Sequence, residues 1–233
     1  MIDTVAEHYA YLLRAYAHLV CGAPPRKRRL ELMARLIGTK PPEAFAIVDG
    51  LAETSNLAGD VCEIGVAQGA TSALIANEIM DGKSTLHLFD SFEGLPAPTK
   101  EDVLINDVFG LGSMEAYKGK MACPLDMVSK RIADVGLPPE RCRAHVGFLD
   151  KTLKGHDLPT KVRFAYLDVD LYAPIKLALE WLASVMDAGA VVVVDDYGFF
   201  SSGVEQAVGE CSIGWNVEVC HPALGHFCTM RRL

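Results

Sequence analysis

Two apolar runs in this chain end in acids. Phe164-Ala165-Tyr166-Leu167 leads into Asp168-Val169-Asp170, and Val191-Val192-Val193-Val194 leads into Asp195-Asp196-Tyr197. Each run reads as a strand buried on both faces, the pattern of a parallel sheet. If the strands are neighbours, four carboxylates share the rim at their carboxyl ends, where open α/β sheets bind ligands. Like charges repel there, and desolvating each costs several kcal/mol. A divalent cation offsets that cost. Three carboxylates without a Cys or His partner nearby indicate a hard cation, Mg2+ first and Mn2+ or Ca2+ next. Such an ion lowers the pKa of a hydroxyl and orients it, and a nearby carboxylate takes the proton. Asp168 and Asp170 have the same strand parity and share a face wherever the extended geometry persists. Asp195 and Asp196 can serve one cation only if the backbone turns at the strand end, which Tyr197-Gly198 permits.

A second constellation lies earlier. Glu63-Ile64-Gly65-Val66-Ala67-Gln68-Gly69-Ala70-Thr71-Ser72 joins an apolar strand to a helix. Its glycines allow a sharp turn and close approach to a ligand. The next strand ends in Phe89-Asp90-Ser91-Phe92. An acid there, about 20 residues past the first glycine, accepts bonds from ribose hydroxyls in doubly wound folds. Together the two features indicate a nucleoside-bearing cofactor. The turn lacks the Lys-Ser/Thr pair of a triphosphate loop.

These motifs resemble the macrocin O-methyltransferase family, the TylF-type enzymes. The resemblance rests on Glu63-x-Gly65-Val66-x-x-Gly69 and Phe89-Asp90-Ser91-Phe92-Glu93-Gly94-Leu95-Pro96. It continues through Gly147-Phe148-Leu149-Asp150-Lys151-Thr152-Leu153, Leu167-Asp168-Val169-Asp170-Leu171-Tyr172 and Asp195-Asp196-Tyr197-Gly198. It spans roughly residues 55–210. It implies a class I, S-adenosylmethionine-dependent, metal-dependent O-methyltransferase. The implied fold is Rossmann-like: a seven-stranded, mostly parallel sheet with a C-terminal antiparallel hairpin. Glu63, Gly65, Val66, Gly69, Ser72, Asp90 and Ser91 would hold the cofactor, with Gly147 and Phe148 beside its adenine. Asp168, Asp195 and Asp196 would bind magnesium, and Asp170 would be the catalytic base. The chain departs from the family at Gly147-Phe148-Leu149, where Gly-Trp-Phe is common, and at Lys154, where Pro is common. The acceptor would be a hydroxylated small molecule, such as a sugar on a natural product.

The elements that must position these residues alternate in the required order. Residues 3–55 read as helices, with apolar residues at helical spacing up to Val20, again from Leu30 to Ile37, and a third helix from Pro42 to about Glu53. They form an N-terminal extension (1–55) ahead of a catalytic domain (56–233). Strands are expected over 61–66, 85–89, 142–146, 163–167 and 190–194, and helices over 70–80, 125–135, 174–186 and near 204–210. Residues 215–220 and 226–230 read as the closing hairpin. Residues 93–124, rich in Gly, Pro and charge, read as a lid or binding loop, with acceptor selectivity expected in 96–124. Ser201-Ser202-Gly203 reads as a helix cap. His145 reads as a packed residue, His87 has no visible partner, and Trp181 and Trp215 read as core.

Composition narrows the classes. The chain has 233 residues, 50% hydrophobic and 22% charged, with net charge −8. That is globular, and the negative balance argues against a nucleic-acid partner. The basic run Arg26-Lys27-Arg28-Arg29 reads as a solvated helix start. Seven scattered cysteines with no metal-ligand spacing suit a reducing cytoplasm. No apolar stretch is long enough to span a bilayer. The N-terminal helices leave a homodimer as an open expectation. Two alternatives compete with methyl transfer. One is a metal-dependent glycosyltransferase using Asp168-Val169-Asp170, and the other a methyltransferase-fold protein that only binds.

Overall fold

The computed structural model describes residues 23–233. The first expected helix, up to Val20, lies outside the described residues. A short α1 (Arg29–Met33) and α2 (Pro41–Glu53) precede the sheet. Strands and helices then alternate: β1 (Asp60–Ile64), α3 (Ala70–Glu78), β2 (Leu86–Asp90), α4 (Leu125–Val135), β3 (Cys142–Val146), α5 (Leu149–Thr152), β4 (Val162–Leu167), α6 (Tyr172–Val185), β5 (Val191–Val194), α7 (Ser202–Glu210), β6 (Trp215–Val219) and β7 (Cys228–Arg232). The sheet order is β3-β2-β1-β4-β5-β7-β6. β1 to β5 pair in parallel, and β7 runs antiparallel to both β5 and β6. This is the Rossmann-like sheet with an antiparallel C-terminal hairpin.

The two acid-tipped strands are neighbours. Leu167 of β4 pairs with Val194 of β5, so Asp168 and Asp195 leave the sheet side by side. Both strands are fully buried along their length. One apolar layer packs on each face. α6 and α7 cover one side through Ile175, Leu179, Leu182, Val204 and Val208. α2, α3 and α4 cover the other through Ile47, Leu51, Ile75, Val128 and Ile132. α2 therefore lies directly on β4 and β5. Gly50 makes that approach fit, since a Cβ there would meet the Phe164 ring at 2.5 Å.

Three expectations are corrected. The helix expected over residues 30–37 ends at Met33, where a tight turn from Arg35 N–H to the Leu32 carbonyl closes it. Ile37 is left 57% exposed. The basic run is not simply solvated: Arg29 is buried, bonds the Pro24 carbonyl and pairs with Glu78 of α3 at 2.6 Å. Its guanidinium fixes α1 to the domain. His87 does have partners. Its Nδ1 lies 2.9 Å from His145 Nε2, and its Nε2 lies 3.4 Å from Asp60. Burial lowers the pKa of both histidines, His145 to about 4. His145 stacks on Phe89, so it is a packed residue as expected.

The long connection between β2 and α4 is an ordered structure. Asp102, 6% exposed, accepts hydrogen bonds from Tyr172 N–H and the Ser201 hydroxyl at 2.8 Å each. Its other oxygen accepts from Thr99 N–H and hydroxyl. One carboxylate thus latches the loop to the starts of α6 and α7. Ser201 is also the N-cap of α7, accepting from Gly203 N–H. Further along, Tyr117 donates to Asp107 at 2.6 Å and accepts from Phe109 N–H. Asp102→Ala should leave buried donors unpaired and cost roughly 1–3 kcal/mol. Hydrogen exchange should show residues 96–113 opening while β4 and β5 stay protected, and the KM for the acceptor should rise more than that for the cofactor.

Candidate active site

A cavity of about 520 Å³ opens at the carboxyl ends of the parallel strands. That size is ordinary for a small-molecule site. Its wall carries Gly65, Ala67, Gln68, Asp90, Ser91, Gly147 and Phe148 from the ends of β1, β2 and β3. It also carries Asp168, Asp170, Asp195 and Asp196 from the ends of β4 and β5, together with Leu95, Pro96, Val108, Phe109, Phe199 and Phe200. Gly65, Asp90, Ser91, Gly147 and Phe148 thus lie on the wall. Glu63, Val66, Gly69 and Ser72 stand behind it.

The β1–α3 turn is shaped by close approaches. Gly65 has φ 88°, and a Cβ there would overlap the Asp168 carbonyl oxygen. The glycine is thus required by the neighbouring strand whether or not a ligand is bound. Gly65→Ala should push β1 away from β4. The expected readout is a large drop in melting temperature together with loss of the stabilisation conferred by S-adenosylhomocysteine. Gly69, φ 74°, is the N-cap of α3 and faces Val128 of α4.

Asp90 closes the turn from the other side. One of its oxygens accepts from Val66 N–H at 2.7 Å and Ala67 N–H at 3.1 Å, and the other from Phe92 N–H at 2.6 Å. A carboxylate has about four lone-pair sites, so acceptor capacity toward the cavity remains. Ser91 donates to the Gly94 carbonyl and accepts from Glu93 N–H, which fixes the start of the loop. Glu63 is fully buried and accepts from the Ser72 hydroxyl. Its Oε1 is the buried side-chain atom left without a hydrogen bond among the described residues. Burial pushes its pKa up to about 8, against the Ser72 hydrogen bond.

The acids of β4 and β5 converge. Carboxylate oxygens of Asp168, Asp170 and Asp196 lie within 4.8 Å of one another. Asp195 is adjacent but outside that trio: its Oδ1 accepts from Asp196 N–H at 2.7 Å and its Oδ2 lies 3.3 Å from the Tyr166 hydroxyl. The chain geometry explains the difference. β4 ends at Leu167, and Asp170 has φ 62°, so the extended parity of Asp168 and Asp170 does not persist. Asp196 has φ 57°, the backbone turn at the strand end. Non-glycine residues adopt this left-handed conformation uncommonly, and Asp tolerates it better than most. The two turns aim Asp170 and Asp196 toward Asp168.

Every member of the cluster has its pKa raised. Burial is the largest cause for Asp168, followed by Asp195 and Asp196. Burial and then Asp168 bring Asp170 to about 7. Burial, Asp195 and Asp170 raise Asp196. Lys40 opposes the rise at Asp195 and Asp196.

Some wall residues escaped the sequence reading. Phe199 and Phe200 line the cavity, whereas Tyr172 turns away to Glu210. The turn at Asp195-Asp196 was visible in the sequence, but the place of these rings on the cavity wall was not. Glu43 was missed altogether. It sits in α2, is 3% exposed and accepts from the Tyr166 hydroxyl at 2.8 Å. A single acid in an amphipathic helix carries no sequence signal for this.

Known proteins share this architecture. The O-methyltransferase NovP superimposes with TM-score 0.63 at 20% identity, over 80% of this chain and 76% of its own. CalS11, a calicheamicin methyltransferase, gives TM-score 0.66 at 19% identity, over 97% and 92%. An O-methyltransferase from Bacillus cereus in complex with SAH gives 0.56 at 12%, over 94% and 95%. No curated protein matches the sequence. The macrocin O-methyltransferase (TylF) family description matches residues 35–213, most of the chain and all of the cavity-bearing sheet from β1 to β5. That match sets aside the glycosyltransferase and binding-only alternatives. The chain belongs to the macrocin O-methyltransferase family and is an S-adenosylmethionine-dependent O-methyltransferase.

Proposed function

We propose that this enzyme methylates a hydroxyl on a sugar or another natural-product scaffold, using a divalent cation, Mg2+ first. The observation that carries the reading is the convergence of three carboxylates on the wall of the cavity that also holds the β1–α3 turn and Asp90. The donors fit a hard cation. They are all oxygens, and opposite ligands of Mg2+ stand about 4.2 Å apart, against a span within 4.8 Å. Glu63 Oε1 is a further unsatisfied acceptor, close enough to raise the Asp168 pKa. Asp168, Asp170 and Asp196 would hold the ion. Asp195, expected as a ligand, would instead support it from the side. CalS11 carries the description TDP-rhamnose 3'-O-methyltransferase, which supports a sugar acceptor.

The bound groups supply an electrophilic methyl and a Lewis acid for the acceptor oxygen. The protein's own residues do the rest. Gly65, Asp90, Ser91, Gly147 and Phe148 would cradle the nucleoside. Glu63 and Ser72 would hold the turn from behind, with Val66 and Gly69 shaping its backbone. The aromatic lining excludes water and orients the acceptor across from the methyl donor. Alignment of this kind contributes up to roughly 7–11 kcal/mol. Asp170, on the cavity wall beside the ion, would take the hydroxyl proton on its carboxylate.

The test is methyl transfer from labelled S-adenosylmethionine to a panel of glycosylated natural products and nucleotide sugars, with and without EDTA. Transfer to a sugar hydroxyl that stops in EDTA and returns with Mg2+ is expected. Undiminished transfer in EDTA removes the cation from the reading.

A further inference from the structure

Tyr166 sits at the floor of the acid cluster, fully buried on β4. Its hydroxyl oxygen is 2.8 Å from Glu43 Oε1, 3.3 Å from Asp195 Oδ2 and 3.4 Å from Asp168 Oδ2. Three carboxylates thus converge on one phenol. A phenol has a single hydrogen, so it satisfies one of them fully, and the shortest contact marks Glu43. Glu43 comes from α2, which crosses β4 and β5 and is locked there by the close contact at Gly50. Its carboxyl also interacts with Asp195. A buried carboxyl packed against other acids is costly for the fold alone, and Gln or Met would hold the same helix more cheaply.

We propose that Glu43 and Tyr166 are positioning residues for the acidic cluster. Together they hold Asp195 and Asp168 from below and set where the cation's ligands stand. α2 then belongs to the active site, although it precedes the methyltransferase sheet. This inference rests on the cation reading above. Groups that hold metal ligands from behind typically change metal affinity or activity by about 10–100-fold when removed. A residue that only pins α2 to the sheet would change melting temperature and leave metal affinity alone.

The experiment is calorimetric titration of Mn2+ into the wild-type protein, Glu43→Gln and Tyr166→Phe. Affinity for S-adenosylhomocysteine and melting temperature are measured on the same samples. Glu43→Gln keeps the size and an acceptor for Tyr166, and decides the matter alone if Tyr166→Phe does not fold. The expected result is Mn2+ affinity weakened about 10–100-fold, with S-adenosylhomocysteine affinity within twofold of wild type. Wild-type binding of Mn2+ with the variants equally tight overturns the role of Glu43 and Tyr166 but leaves the cation reading standing. No Mn2+ binding by the wild-type protein overturns both.

Discussion

Asp168→Asn should abolish methyl transfer and at the same time raise the melting temperature of the metal-free protein. The two effects have one cause. Asp168 lies at the centre of the cluster, within reach of Asp170 and Asp196 and beside Asp195 and Tyr166. Without its charge a dication loses a ligand. A Lewis-acid contribution of about 4 kcal/mol corresponds to about 10³ in rate. In the absence of metal the same charge is a burden: burial and the neighbouring acids raise its pKa well above the usual carboxylate range. An acid whose folded pKa exceeds its unfolded value contributes stability that is present at low pH and lost as pH rises through the folded pKa. For Asp170 that window runs from about 3.8 to about 7. The metal-free protein should therefore lose stability between pH 4 and 7, and less so in Asp168→Asn. Mg2+ should restore stability to the wild type at pH 7 and not to the variant. Thermal scans across pH, with and without Mg2+, check all of this together. A variant that melts lower than wild type at pH 7 without metal would show that the cluster is not under electrostatic strain.

Asp170→Asn should lower kcat by at least about 10²–10⁴, the usual contribution of a general base, and should also weaken Mn2+ binding because it removes one of the three converging carboxylates. The affinity for S-adenosylhomocysteine should hold, because the hydrogen bonds that shape the Gly65 turn run to Asp90 and not to Asp170. The wild-type rate should fall on the acid side with the titration of this carboxyl, and that limb should vanish in the variant. Asp195→Asn makes an informative partner. Its oxygens are engaged by Asp196 N–H and Tyr166. It should retain more Mn2+ affinity than Asp170→Asn or Asp196→Asn. The reverse order would return Asp195 to the set of direct ligands.

Much of the fold was legible because its strands are plain in composition. β4 and β5 are uninterrupted apolar runs closed by acids, and no helix of that length would place the charge there. β3 and α4 match their expected limits, 142–146 and 125–135, because Gly136 and Pro138-Pro139 separate them. The acid rim was legible for the same reason. What was not legible depends on backbone turns and long-range contacts. Parity along a strand could not foretell that the chain leaves β4 at Leu167 and turns left-handed at Asp170 and Asp196. Those turns draw Asp170 into the trio in place of Asp195. Asp102 looked like one charge in a polar loop, yet it is buried and latches that loop to two helices. Glu43 carried no signal within its helix, yet it is buried against Tyr166. Arg29 in the basic run read as solvated, and it is buried against Glu78.

The central claim is a cation among Asp168, Asp170 and Asp196 beside the cofactor. Anomalous diffraction from crystals grown with S-adenosylhomocysteine and Mn2+ tests it most directly. The account predicts one peak bonded to oxygens of all three carboxylates, next to the cofactor sulfur. A cofactor in the cavity with no peak among those oxygens, or with the ion bound elsewhere, would contradict it.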